Sequence, residues 1–93
     1  MFVCANCLKE FVDENPAYVL LHENRLNHPA RYYFERRFHS LECLEGEVAR
    51  LIPSYGPFVV FEGNSEGHEP ITPHPMRAGE LLAWLRTRAQ VAR

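Results

Sequence analysis

The clearest pattern in the sequence is a set of apolar residues that recur at helical spacing near the middle of the chain. These residues are Leu41, Leu44, Val48, Leu51 and Ile52. Ser40 belongs to the residue types that cap helix starts, and Pro53 cannot continue a helix, so the pattern predicts a helix of about three turns between them. The five apolar residues are expected to face the core.

Two segments before this helix have the composition of β-strands. Residues 17–22 read AYVLLH, and residues 31–38 read RYYFERRF. Aromatic and β-branched residues suit the pleated surface of a sheet, while residues 23–30 between the two segments are rich in Asn and Pro. We therefore expect a β-hairpin that leads into the helix, and residues 11–15 are expected to form only a short connection.

The remainder of the chain is expected to form a proline-rich segment and a closing helix. Residues 53–75 contain five of the seven prolines, and only PFVVFEG, residues 57–63, predicts a strand among otherwise irregular chain. Residues 76–93 place their apolar side chains on one helical face, which should pack on the hairpin or on the first helix. These apolar residues are Ala78, Leu81, Leu82, Leu85, Ala89 and Ala92.

The length and composition indicate one small α+β domain. A chain of 93 residues with 46% apolar content can bury a core, but at this size burial only narrowly offsets chain entropy, so a metal crosslink would matter. Within the single domain 1–93, we expect a metal-binding part in residues 1–52. Residues 53–76 would then form an extension of strand and loop, and residues 77–93 the C-terminal helix.

Charge and cysteine content narrow the class of protein further. The formal net charge of −2 gives no general attraction to nucleic-acid backbones. No apolar run approaches the roughly 20 residues that cross a bilayer. Three cysteines are an odd number, and no signal-like segment is apparent, so a secreted disulfide framework is disfavoured and a cytoplasmic protein is expected.

The cysteines and one histidine have the spacing of a metal site. Cys4 and Cys7 are three positions apart, and His39 stands four residues before Cys43. Residues four apart on a helix lie about 40° apart, so His39 and Cys43 can reach one target. The helical wheel places Cys43 roughly 150° from the centre of the apolar stripe, which argues against a simple core cysteine. The pattern predicts one site with all four residues as ligands.

Zinc is the ion that best suits these ligands. It accepts thiolate and imidazole in a tetrahedral shell, and three sulfurs with one nitrogen fill that shell. A filled shell leaves no position to activate water, so we expect one structural Zn²⁺ and no enzyme activity. Two alternatives stay open: His22 or His28 could replace His39 as fourth ligand, and Cys4 with Cys7 could form the redox pair of a thiol oxidoreductase. A core without metal is a further possibility.

The segment YYFERRFHSLEC, residues 32–43, resembles the signature of the TRASH and MYM-type zinc-binding group, in which aromatic residues precede F-C-S-x-x-C at a helix start. His39 occupies the place of the third cysteine, and Ser40 and Cys43 match directly. The resemblance covers about residues 4–52. It implies a treble-clef zinc finger, related to YHS-type domains and to the small bacterial gyrase inhibitor, and a role exercised through a partner protein.

Two groups of residues are candidates for contact with a partner. They are Arg31, Arg36 and Arg37 on the second predicted strand, and Arg77, Arg88 and Trp84 on the closing helix. Tryptophan and arginine are enriched at the centres of protein interfaces, so a protein-interaction or regulatory module is the first hypothesis. The alternative is a nucleic-acid-binding zinc finger in which the same arginines contact phosphates. His68 and His74 form a less specific second metal motif.

Overall fold

The computed structural model describes residues 1–12, 15–23, 35–63 and 69–91, with side chains up to residue 88. The fold is α+β, with two helices and two antiparallel sheets. In chain order the elements are β1 (Phe2–Val3), β2 (Glu10–Phe11), β3 (Tyr18–His22), β4 (Glu35–Phe38), α1 (Leu41–Arg50), β5 (Phe58–Glu62) and α2 (Ala78–Val91). The turn predicted at residues 23–30 and the first half of the strand predicted at residues 31–38 lie outside the described residues.

The larger sheet has three strands in the order β4-β3-β5, and both neighbours run antiparallel to β3. Its two faces bury different residues because successive side chains of a strand point to opposite sides. One face, with Leu20, Phe38 and Val60, joins the core beneath the helices. The other face buries a second cluster made of Val19, Leu21, Val59 and Phe61. Burial on both faces explains why the two strands AYVLLH and PFVVFEG are almost continuously apolar.

The smaller sheet, formed by β1 and β2, corrects the prediction that residues 11–15 are only a connection. Phe11 pairs with Phe2, and Glu10 pairs with Val3, on either side of the Cys-x-x-Cys turn. The two phenyl rings stack with centroids 5.3 Å apart. Strands of two residues are too short to produce an alternating pattern, so this hairpin could not be predicted from the periodicity of the sequence.

Helix α1 begins as predicted at Ser40, whose side-chain Oγ accepts a hydrogen bond from the Cys43 N–H at 3.2 Å. Leu44 and Val48 are buried on its inner side. The prediction for Ile52 was wrong, since its side chain is 71% exposed. The helix ends at Arg50, so the helical wheel no longer describes the direction of residue 52.

Residues 71–76, which were expected to be irregular, bond to the backbone of β5. Ile71 N–H donates to the Val60 carbonyl at 2.7 Å, and Phe58 and Met76 exchange two backbone bonds of 2.7 and 2.9 Å. This segment therefore covers the outer edge of β5.

Helix α2 packs against α1, one of the two positions expected for it. Leu81 and Leu85 are fully buried on the apolar face, and the side chains of Ala89 and Ala92 lie outside the described residues. Neither α1 nor α2, as far as the structure describes them, has the length and apolarity of a membrane-spanning helix.

The different burial of Leu44 and Ile52 leads to a test of the fold. Leu44→Ala should reduce the free energy of unfolding by about 2–5 kcal/mol, because it removes a fully buried side chain and leaves a cavity. Ile52→Ala should change it by no more than about 0.5 kcal/mol. Urea unfolding of both variants measures the difference, and equal losses would contradict the placement of the helix end.

Candidate metal centre

The Cys4–Cys7 segment forms a tight turn at the tip of the β1–β2 hairpin. The Leu8 N–H donates to the Cys4 carbonyl at 2.9 Å, and the Cys4 N–H donates to the Lys9 carbonyl at 3.0 Å. Leu8 has a φ of 65°, a left-handed conformation that is costly for a residue with a branched side chain. These bonds close the turn, so both cysteine side chains project from one short loop.

His39 and Cys43 come from the junction between β4 and α1. Strand β4 ends at Phe38, and the Ser40 cap places Cys43 in the first turn of α1. A further backbone bond, from the Ala5 N–H to the Arg37 carbonyl at 2.8 Å, holds the cysteine turn beside β4. The two halves of the predicted site therefore lie next to each other.

The four ligand atoms meet at one point. The sulfurs of Cys4, Cys7 and Cys43 and a ring nitrogen of His39 all lie within 4.8 Å of one another. His39 Nδ1 is 3.5 Å from Cys7 Sγ, close to the S···N separation of about 3.6 Å that tetrahedral zinc bond lengths imply. The four residues could bind a metal ion, with Nδ1 as the imidazole donor.

Burial of the centre modifies one expectation about Cys43. The helical wheel placed it away from the apolar stripe, yet the residue is only 8% exposed and belongs to the main buried cluster together with Leu44, Val48 and Cys4. The reason is that the Cys-x-x-Cys turn covers the side of α1 that the apolar stripe leaves open. Cys7 and His39 are partly exposed and close the outer side of the centre.

An aromatic stack orients the imidazole. The His39 ring lies 4.4 Å from the Phe11 ring at an interplanar angle of 23°, and Phe11 stacks in turn on Phe2. This packing leaves Nδ1 directed at the Cys7 sulfur. Sequence reasoning missed both phenylalanines, although their positions just outside Cys4 and Lys9 are those of a cross-strand pair.

A polar contact joins the turn to the far end of α1. Arg50 donates to Asn6 Oδ1 at 3.0 Å and also pairs with Glu47 at 3.0 Å. Asn6 stands between the two cysteines of the motif. A side chain at Gly46 would lie only 3.1 Å from the Asn6 amide, so the absence of a Cβ lets the turn approach the helix closely.

The thiols of Cys4 and Cys7 differ in acidity because their surroundings differ. Burial raises the pKa of Cys4, but hydrogen bonds from the Cys7 backbone and from His39 outweigh it, so the pKa falls to about 6. A backbone bond from Lys9 lowers the pKa of Cys7, yet burial and the neighbouring Cys4 together raise it above its usual range. One thiolate, that of Cys4, therefore forms readily, and the Cys7 thiol beside it loses its proton less readily.

The alternative ligands lie elsewhere or outside the described residues. His22 packs against Phe58 and Tyr55, with centroid distances of 5.7 and 6.2 Å, and is not part of the cluster. His28 is outside the described residues, as is His68. His74 Nε2 lies 2.9 Å from Glu80 Oε1 instead.

The turn that carries Cys4 and Cys7 bears on the redox alternative. It connects two strands, whereas redox pairs of this spacing usually stand at the start of a helix.

The candidate partner residues differ in the contacts that they make. Arg36 and Arg37 are exposed on β4, and the Arg36 guanidinium donates to the Glu35 carbonyl at 2.9 Å. Arg77 precedes α2 and donates to the carbonyls of Ser54 and Gly56, which fastens the loop before β5. The remaining residues are Arg88, whose Cζ lies 5.6 Å from the centroid of the half-buried Trp84 ring, and Arg31, which is outside the described residues.

Comparison of the chain with models of known protein families, with curated proteins and with solved structures found no match.

The acidity of the two thiols leads to a prediction about pH. At pH 7 Cys4, with a pKa of about 6, is mostly thiolate, whereas Cys7, with a raised pKa, keeps its proton. Metal binding requires both as thiolates, so it should release at least the Cys7 proton at pH 7 and weaken as the pH falls, more steeply below about 6. Titration calorimetry of Zn²⁺ binding in buffers of different ionisation enthalpy counts the protons. Binding without proton release would contradict this assignment.

The two histidines provide a matched test of the ligand set. His39→Ala removes a metal ligand. The metal affinity should therefore fall by more than the factor of about 10–100 that is typical when a residue hydrogen-bonded to a ligand is lost. His22→Ala should leave binding unchanged, since this ring packs on aromatic residues away from the cluster. Competition with a chromophoric chelator measures both affinities. Loss of binding in the His22 variant alone would reverse the assignment.

Proposed function

We propose that Cys4, Cys7, His39 and Cys43 hold one Zn²⁺ in a closed structural site, and that the protein is a zinc-stabilised module for protein interaction. The observation that carries the proposal is the meeting of three sulfurs and one imidazole nitrogen within 4.8 Å. Such soft donors suit Zn²⁺, whereas Mg²⁺ and Ca²⁺ require oxygen ligands. Four protein ligands complete the tetrahedral shell, so the ion would crosslink the fold and would not activate water.

The order of the elements supports a treble-clef interpretation of the site. A cysteine turn on a short hairpin, two antiparallel strands and a helix follow one another, and the last ligand lies in the first turn of the helix. This is the arrangement that the resemblance to the TRASH and MYM-type group implies. Under this proposal the ion links residues 4–7 to residues 39–43 and supplies binding energy of about 10–16 kcal/mol, as in zinc-finger peptides, much of it as folding energy.

Contact with a protein is favoured over contact with nucleic acid by the environment of the basic residues. Arg77 is bonded to two loop carbonyls, and Arg88 lies over Trp84 and 3.9 Å from a Glu62 oxygen. These side chains are less available to phosphates than the sequence suggested. The exposure of Arg36 and Arg37 is what supports the nucleic-acid alternative, which would show a steep loss of affinity with added salt. Three free thiols also fit a reducing compartment such as the cytoplasm.

Metal analysis tests the proposed site. The purified protein should contain one zinc per chain, and Cys43→Ser should lose both the metal and most of the folding stability, because binding and folding are coupled. Glu42→Gln changes the adjacent exposed residue and should retain both. Elemental analysis and thermal unfolding provide the two measurements.

Cobalt provides a second measurement on the same variants. Replacement of zinc by Co²⁺ should give the absorption of a tetrahedral thiolate complex in the parent protein and in Glu42→Gln. A Cys43→Ser variant that keeps its metal and melts like the parent would refute the proposal.

A further inference from the structure

We propose that the outer face of the β1–β2 hairpin, together with two arginines of β4, is the contact surface of a homodimer, so that the partner is a second copy of this chain. This inference rests on the proposed interaction function and names its partner. The surface is a strip that runs from Glu10 on β2, across Val3 on β1, to Arg36 and Arg37 on β4.

The β1–β2 hairpin has an inner and an outer face. Opposed residues of an antiparallel pair point to the same face, and successive residues of a strand alternate between faces. Phe2 and Phe11 form the inner pair, since Phe2 is only 6% exposed and Phe11 stacks on His39. The next pair, Val3 and Glu10, therefore points outward, away from the metal centre. Val3 is 48% exposed, and Glu10 is exposed as well.

The centre of the strip is apolar. Val3 lines a recess of about 650 Å³ between the hairpin and β4, and Met1 and Leu8 line the same recess. Their side chains are 74% and 73% exposed. Adjacent apolar side chains on a small domain gain free energy, about 25 cal/mol for each Å² removed from water, when another apolar surface covers them.

The backbone of Leu8 points to a binding role for its side chain. Its φ of 65° is a conformation that glycine adopts without strain and that a branched residue adopts at a cost. Because the side chain is mostly exposed, contacts within the chain do little to offset this cost. Backbone strain of this kind is concentrated at binding and active sites.

The charges at the two ends of the strip have opposite signs. Glu10 forms one end, and Lys9 beside it is directed to the other side by the alternation of side chains. At the other end, Arg36 and Arg37 outweigh the single carboxylate of Glu35. Neither the Glu10 carboxylate nor the Arg37 guanidinium forms an ion pair with any residue that the structure describes.

The sequence of acid, apolar centre and base makes the strip complementary to itself. A two-fold axis through the apolar centre reverses the strip in the second copy, so that Glu10 of each chain meets Arg37 of the other and the apolar centres meet each other. A closed dimer requires such a self-complementary patch. Nucleic acids and anionic membranes would instead be repelled by the acidic end.

The size of the strip predicts a weak dimer. It contains far fewer residues than the roughly 20–30 on each side of a standard interface. Association should therefore be reversible, with a dissociation constant in the micromolar range or weaker.

Sedimentation equilibrium of the zinc-loaded full chain, from micromolar to submillimolar concentration, tests this inference. The average mass should rise from that of one chain towards that of two chains and no further, because a two-fold contact closes on itself. Over the same range, the backbone amide shifts of Val3, Leu8 and Glu10 in NMR spectra should change with concentration.

Reversal of charge provides the sharpest test of the two-fold arrangement. Glu10→Arg and Arg37→Glu should each weaken self-association by at least about tenfold, because each brings like charges together at both ends of the interface. An equimolar mixture of the two variants should associate again, since every contact between unlike copies then joins opposite charges. The control is Arg86→Glu on α2, which should dimerise like the parent.

The apolar centre is tested by Leu8→Gly. This variant should weaken the dimer by loss of the apolar side chain, while the monomer should melt no lower than the parent, because glycine adopts the positive φ without strain. The matched control is Ile52→Ala, which also truncates a mostly exposed apolar side chain and should leave the dimer unchanged.

The outcomes separate this inference from the proposed function. It is overturned if the parent remains a monomer over the whole range, if larger assemblies form, or if Leu8→Gly dimerises like the parent. It is also overturned if the mixture of charge variants fails to associate. The metal content of every sample is measured in parallel. A chain without zinc refutes the proposed function, whereas a zinc-containing chain that stays monomeric refutes the dimer alone.

Discussion

Four side chains from two distant segments of a short chain meet at one point. The cysteine turn contacts the rest of the protein through the Ala5–Arg37 backbone bond, the Arg50–Asn6 contact and the cluster of Cys4, Cys7, His39 and Cys43. Neutral thiols packed together contribute little beyond their apolar contact, and burial together with the neighbouring Cys4 raises the pKa of Cys7. A cation bound by these four residues would favour the thiolates and crosslink the cysteine turn to the start of α1.

Much of the candidate site could be predicted from the sequence, because its two segments each follow a rule of local spacing. The spacing of Cys4 and Cys7 confines both to one turn, and the helix started by Ser40 brings Cys43 close to His39. The supporting residues could not be found in this way. Phe11 reaches His39 across a strand pair, and Arg50 reaches Asn6 over 44 positions, so both contacts depend on how separate elements pack.

Periodicity and capping by themselves determined the two helices, the strands β3 and β5, the end of β4 and the α+β class, since these follow from local propensity and from burial of apolar faces. Tertiary structure alone decided that Ile52 is exposed, that Cys43 is buried, and that Arg77 bonds to loop carbonyls. It also decided which sheet edge is covered. The physical reason is that burial and pairing depend on which distant part of the chain packs against a residue. The pattern of residues along the sequence does not show which part that is.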